Sequence, residues 1–247
     1  MRVVSAELTA GQKALRVLRP AVRCRVWNMR YGVVVPQWTA VWSNAGDATR
    51  RHNAAILADG TIIRARVYSA GCYVQRITDD SVASQWETWT YLGSADDTYR
   101  PAVCASGTTV HVIWNGTTGR GLRHTFSTDG GQSWGSIVLA VTEPSGSFIT
   151  GQAAAVKPAT GDVALFYTVD PGGSGADDLL KVVVWTASTA TWGTAAAWTP
   201  GVRYAFHGLD VLYDGDYRLA VAFREATSPY DYRLATVVYG DGEDYTA

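Results

Sequence analysis

The sequence predicts an all-β protein built from repeated four-stranded antiparallel sheets. Its 25 Gly, 10 Trp and 13 Tyr among 247 residues suit a fold in which glycine turns and aromatic anchors recur along the chain. Short turn motifs such as Asp-Gly separate strand-like runs, and similar segments return at intervals of about 50 residues. A chain of this length can bury roughly 70–75% of its unfolded surface, so we expect a core that needs neither disulfide nor metal.

The repeat predicts the blades of a β-propeller. Four first strands begin alike, at residues 54–57, 101–104, 153–156 and 209–212. Second strands follow a glycine-containing turn, at residues 61–67, 108–114, 163–169 and 217–224. Third strands are predicted at 72–77, 121–126, 179–186 and 232–239, and fourth strands from Trp86, Trp134 and Trp192. This order and spacing are typical of four-stranded blades, so we expect about four of them.

The last blade has no fourth strand of its own in this order. Residues 37–42, Gln-Trp-Thr-Ala-Val-Trp, have the pattern of such a strand and precede the first blade. Propellers commonly close their ring by pairing strands from the two ends, which leaves no exposed edge. Two architectures stay open: a closed ring over residues 37–247, or the opening part of a larger ring.

Charge separates the first 36 residues from the rest. They carry seven basic residues and one acidic residue, a net +6, whereas the remainder carries −7. Residues 9–12 fit a capping box, so a short helix or extended arm is expected before Pro20 ends it. We predict a basic docking segment over 1–36 that contacts a partner subunit or the acidic propeller. Nucleic acid is not expected as a partner, because the basic residues lack interleaved aromatics.

The N-terminus shows no apolar run of the kind that a signal peptide needs, and no run of about 18 apolar residues occurs in the chain. We therefore expect no membrane span. The predicted place of synthesis is the cytoplasm.

One turn motif is specific. Residues 127–134 spell Ser-Thr-Asp-Gly-Gly-Gln-Ser-Trp. Asp129 can accept backbone N–H groups of its own turn, Gly131 permits positive φ, and Trp134 can bury its ring. With Ser127, these residues resemble the Asp-box, or bacterial neuraminidase repeat, of sialidase-like β-propellers. The resemblance implies a turn that stabilises the blade and lies away from any active centre.

Sialidases, as the resemblance implies, bind the substrate carboxylate with three arginines and use a Tyr–Glu nucleophile and an Asp acid/base. Arg51 stands where the first arginine would lie, but without the Ile-Pro that follows it in the family. No motif marks the other positions, for which the candidates are Asp79, Asp80, Arg224, Glu225 and Tyr230. The sequence therefore favours a protein without a catalytic set, and a sialidase-like exo-glycosidase is the alternative.

The residues predicted to bind a glycan are aromatic. Trp27, Trp89 and Trp198 are candidates for stacking on a sugar ring. The four histidines have no metal-ligand spacing, so no metal and no cofactor are expected. Residues 7–13 read Glu-Leu-Thr-Ala-Gly-Gln-Lys and belong to a short basic lead. Such a lead ahead of a propeller resembles the head of phage or prophage tail-associated proteins.

That second resemblance implies a lead that docks on the tail and a propeller that faces the host surface. It also implies that the protein, once made, associates with a virion or particle or is released on lysis. The predicted function is non-catalytic binding or assembly, with a glycan or host-surface ligand. A bacterial scaffold for protein–protein interactions is the second alternative.

Overall fold

A computed structural model describes residues 52–78, 86–96, 99–172, 178–198, 204–225 and 232–239. The predicted docking segment 1–36 and closing strand 37–42 lie outside these residues. The described residues form four antiparallel sheets. Blade 1 contains β1 (His52–Ile56), β2 (Ile62–Tyr68), β3 (Gly71–Ile77) and β4 (Thr90–Ser94). Blade 2 contains β5 (Ala102–Ser106), β6 (Thr109–Asn115), β7 (Gly121–Ser127) and β8 (Val138–Thr142).

Blade 3 divides its outer strand. It contains β9 (Phe148–Val156), β10 (Val163–Asp170), β11 (Leu179–Thr186), and the short β12 (Thr191–Trp192) and β13 (Ala196–Trp198), which both pair with β11. Blade 4 contains β14 (Tyr204–Tyr213), β15 (Tyr217–Glu225) and β16 (Tyr232–Tyr239). The all-β, propeller-like fold and its four repeated sheets are as predicted.

The fourth strands of blades 1 and 2 begin later than predicted. The residue after each predicted tryptophan donates one backbone bond to the third strand: Glu87 N to Arg76 O, Gly135 N to Phe126 O and Gly193 N to Val184 O, each 2.9 Å. Regular pairing then resumes at β4, β8 and β13, four residues after Trp86, Trp134 and Trp192. Trp86 and Trp134 therefore mark the end of the connecting turn, which aromatic patterning alone does not distinguish from a strand. Trp192 instead lies in β12 and pairs with Trp185, close to where the fourth strand of blade 3 was predicted to begin.

Apolar side chains join the blades in sequence. One cluster lies between blades 1 and 2 and includes Ile63, Val74 and Trp114. Further clusters lie between blades 2 and 3 and between blades 3 and 4. The first strands pack in the order β1, β5, β9, β14, and among the described strands β14 has no contact of similar extent with β1.

The up-and-down strand order gives each blade two distinct ends. First-to-second and third-to-fourth turns lie at one end, which we call the box end because it carries residues 127–134. Second-to-third turns and the connections between blades lie at the other, the connection end. The connection after β8 is anchored there, since Glu143 N donates to Arg120 O and Ile149 N to Gly119 O, both at 2.8 Å.

Candidate functional site

The turn at residues 127–134 is a closed hydrogen-bond network. The Asp129 carboxylate accepts Gln132 N at 3.0 Å, Ser133 N at 2.9 Å, Ser133 Oγ at 2.5 Å and Ser127 Oγ at 2.7 Å. Gly131 N donates to Ser127 Oγ at 2.8 Å. The Ser133 hydroxyl and amide, followed by the Ser127 hydroxyl, hold the pKa of Asp129 well below its usual range. Asp129 is thus an ionised acceptor for its own turn.

The same turn packs blade 2 onto blade 1. Gly130 and Gly131 have φ values of 72° and 84°, where glycine is favoured. A Cβ on Gly131 would lie 2.7 Å from Ile63 Cδ1 of β2. Trp134 is half-buried against the cluster between blades 1 and 2. These contacts suit a stabilising turn, and its membership in the Asp-box repeat stays a prediction.

The predicted catalytic residues fall mostly outside the described part of the chain. This applies to Arg51, Asp79, Asp80 and Tyr230. Arg224 and Glu225 end β15, where the backbone but not the side chains is described. β15 ends at the connection end, where β1 also begins, whereas β3 ends at the box end. The catalytic set therefore stays untested.

A Tyr–Glu pair that sequence reasoning did not identify joins blades 2 and 3. The Tyr167 hydroxyl on β10 donates to Glu143 Oε1 at 2.9 Å, and Lys181 Nζ on β11 donates to Glu143 Oε2 at 2.7 Å. Tyr167 is fully buried, and burial, reinforced by Glu143, raises the pKa of its phenol. A phenol that is inaccessible and already donating suits a structural link better than a nucleophile. No short-range motif could reveal it, because its members come from three separate segments.

Blade 1 carries a different surface on the side turned away from blade 2. Alternate residues of β2 point either into the cluster between blades 1 and 2 or to this other side. We define the aromatic face of blade 1 as the residues on that other side: Arg64, Arg66, Tyr68, Tyr73, Trp86, Trp89 and Tyr91.

Arginines and tryptophans alternate along the aromatic face. The Arg64 Cζ atom lies 3.9 Å from the Trp86 ring centroid and 4.9 Å from that of Trp89. Arg66 Cζ lies 3.9 Å from the Trp89 centroid and 5.1 Å from that of Tyr68. Arg64 is buried and also donates Nε to Gln75 Oε1 at 2.8 Å. Such cation–π stacking holds the guanidinium groups and the rings in fixed relative positions.

Three tyrosines complete the face at the connection end. The Tyr73 ring centroid lies 6.5 Å from that of Tyr68 and 5.3 Å from that of Tyr91. Tyr91 is 55% exposed and Tyr68 is 41% exposed. The two rings pack closely over Gly71, because a Cβ there would lie 2.8 Å from ring atoms of both Tyr73 and Tyr91. The arrangement offers accessible tyrosine rings, which can pack on the C–H groups of a ligand, and phenol hydroxyls, which can hydrogen-bond to its oxygens.

Of the predicted glycan contacts, Trp89 lies on this face but is half-buried beneath Arg66. Trp27 lies outside the described residues, and the side chain of Trp198 is not described. Sequence reasoning did not single out Tyr68 on β2 and Tyr91 on β4, since tyrosine in a strand is common and carries no motif.

The described ranges contain no group of three His, Cys, Asp or Glu side chains placed to hold a metal ion. They also contain no helix long and apolar enough to cross a membrane.

Solved structures share this fold at low sequence identity. A protein of unknown function from Dyadobacter fermentans DSM 18053 matches with a TM-score of 0.55 and 16% identity, over 76% of this chain and 59% of that one. The Hadza microbial sialidase Hz136 matches with a TM-score of 0.53 and 16% identity, over 80% and 46%.

A third match is the structure described as NanB plus Optactamide, with a TM-score of 0.50 and 14% identity, over 76% of this chain and 30% of that one. The NanB sialidase is from Streptococcus pneumoniae. The chain thus spans less than two thirds of each of these proteins. No protein-family model and no curated protein matches it. The comparisons define the class as a sialidase-like β-propeller fold.

Proposed function

We propose that the chain is a non-catalytic, glycan-binding propeller and that the aromatic face of blade 1 contacts the ligand. The observation that carries the proposal is the exposure of Tyr91 and Tyr68 on a rigid sheet beside Arg66. A sugar ring presents C–H groups on its faces and hydroxyls at its rim. Exposed tyrosine rings match the first, and phenol hydroxyls match the second.

The rigidity of the surface favours binding. Tyrosine has few rotatable bonds, so little side-chain entropy is lost when it is covered. Tyr73 packs against both exposed rings, and Gly71 lies close to the ring of Tyr91. A fold shared with sialidases adds support for a carbohydrate ligand.

The biological setting is part of the same proposal. A phage or particle tail-associated protein, docked through residues 1–36 with its propeller towards a host surface, would use such a face for attachment. The support is the charge contrast between +6 over residues 1–36 and −7 over the remainder. A basic segment docked through charge should be released as salt rises, since the Debye length falls to about 3 Å at 1 M.

The experiment measures retention of the full chain by a panel of immobilised bacterial surface polysaccharides. Tyr91→Ala and Tyr68→Ala should each weaken binding roughly 2- to 10-fold, the value of one aromatic contact of about 0.5–1.5 kcal/mol. Leu139→Ala is the matched control, because Leu139 is 60% exposed on the outer strand of blade 2. Unchanged binding by both tyrosine variants would refute the assignment of the face.

The same preparation tests the alternatives. Turnover of a fluorogenic sialoside that Arg51→Ala abolishes would replace the proposal with a sialidase-like exo-glycosidase. Retention of partner proteins without any glycan would favour a scaffold.

A further inference from the structure

Two histidines lie side by side in the interior of blade 2. His111 on β6 and His124 on β7 are both 0% exposed. His111 Nδ1 and His124 Nε2 are 3.1 Å apart, so one ring donates to the other, and the rings stack with centroids 5.3 Å apart. The remaining nitrogens, His111 Nε2 and His124 Nδ1, are buried without a hydrogen-bond partner.

The pair faces blade 3 through aromatic rings. The Trp185 centroid lies 4.9 Å from that of His111 and 5.5 Å from that of His124. The Trp192 centroid lies 5.2 Å from that of His124. Phe126 of β7 stacks on both imidazoles. Because Trp185 and Trp192 belong to β11 and β12, the imidazoles form part of the junction between blades 2 and 3.

The ionisable groups around this junction are engaged elsewhere. Cys104 of β5 pairs with His111 in register, and burial raises the pKa of its thiol to about 12. Arg123 alternates to the opposite face of β7. Glu143, in the connection after β8, accepts hydrogen bonds from Tyr167 and Lys181. Asp162, just before β10, accepts one from Ala187 N.

We propose that the His111–His124 pair makes the junction between blades 2 and 3 open reversibly in mild acid. A second proton on the accepting ring goes to the shared nitrogen, which becomes a donor, so the bond between the rings is lost. A second proton on the donating ring goes to its other nitrogen, which is buried without an acceptor. Either proton also places a positive charge among aromatic rings with no carboxylate bonded to it. Opening the junction exposes the imidazoles to water, which relieves both penalties.

The direction of the pH dependence follows from the two states. Burial lowers the pKa of His111 to about 4 and that of His124 to about 3, the latter also because His111 carries the same charge. In the open junction both should titrate near 6.5. The free-energy difference that favours the closed junction over the open one is therefore largest above pH 6.5 and decreases as the pH falls towards 4. The opening constant rises by up to about tenfold per pH unit for each histidine.

The test follows hydrogen exchange of β11 amides in the full chain between pH 7 and 5, corrected for intrinsic exchange. Near-UV and far-UV circular dichroism are recorded in parallel. The opening constant should rise at least tenfold while far-UV signal persists. His124→Gln, which can still bond to His111 but cannot ionise, should reduce that rise at least threefold. His52→Gln, at the start of β1, is the control and should behave like the parent chain.

An equal rise in His124→Gln and the parent chain would overturn the proposal. If His124→Gln does not fold, NMR titration of the imidazoles in the parent chain decides instead. Two imidazoles that titrate near pH 6.5 without any change at Trp185 and Trp192 would contradict it, whereas suppressed titration that coincides with those changes supports it.

Discussion

The link formed by Glu143, Tyr167 and Lys181 contains a mostly buried ion pair, whose contribution to stability can be compared with that of an exposed pair. The Lys181–Glu143 pair and the Arg218–Asp214 pair have the same N–O distance, 2.7 Å. Their exposure differs: side chains are 19% and 5% exposed in the first pair, and 50% and 47% in the second. Removing the acidic partner from each should therefore give unequal losses of stability.

The structure indicates the size of the difference. Glu143→Ala leaves a buried phenol and a mostly buried ammonium without their acceptor, a change that typically costs about 3–5 kcal/mol. Because Lys181 keeps partial access to water, we expect about 3 kcal/mol. Tyr167→Phe removes one hydrogen bond to a charged acceptor and should cost about 1.5–3 kcal/mol. Asp214→Ala breaks an exposed pair and should cost about 0–1 kcal/mol.

Urea unfolding followed by tryptophan fluorescence measures the free energy of unfolding of each variant, provided that the slope of the transition is unchanged. A loss below about 1 kcal/mol for Glu143→Ala, against the 3–5 kcal/mol usual for a broken buried pair, would refute the argument. Equal losses for Glu143→Ala and Asp214→Ala would do the same.

Two further predictions concern the turn at residues 127–134. Gly131→Ala should destabilise the chain by about 2 kcal/mol and Gly60→Ala by about 1 kcal/mol, because both have positive φ but only a Cβ at 131 meets Ile63; equal midpoints in urea would contradict this. The low pKa of Asp129 contributes stability that is present above the unfolded value of 3.8 and is lost as the pH falls below it. The melting temperature of Asp129→Asn should therefore fall less than that of the parent chain over this range, and parallel curves would count against the network.

Much of the fold could be predicted from local patterns. The predicted first, second and third strands of each blade match β1 to β3, β5 to β7, β9 to β11 and β14 to β16. These strands are bounded by glycine turns, so the turn residues and apolar runs locate them without tertiary information. The outer strands of blades 1 and 2 were predicted to begin four residues too early, because a half-buried tryptophan at the end of a turn and one inside a strand have the same local pattern.

The candidate site was much less predictable. Trp89 was identified as an aromatic residue but not as the ring beneath Arg66. Tyr68 and Tyr91 meet only through Tyr73, on three different strands. Side chains on alternate strand positions share a face, yet sequence does not indicate which face another blade covers.

By itself, the sequence determined the repeated sheets, their turns and the residues able to close the network around Asp129, because those interactions join neighbours along the chain. Only the tertiary structure decided that Tyr167 meets Glu143 and that His111 and His124 face Trp185. Those contacts join different strands or blades, and burial there controls both the cost of an unpaired charge and the protonation of an imidazole. The packing of one sheet on the next therefore sets the chemistry of side chains whose local sequence is unremarkable.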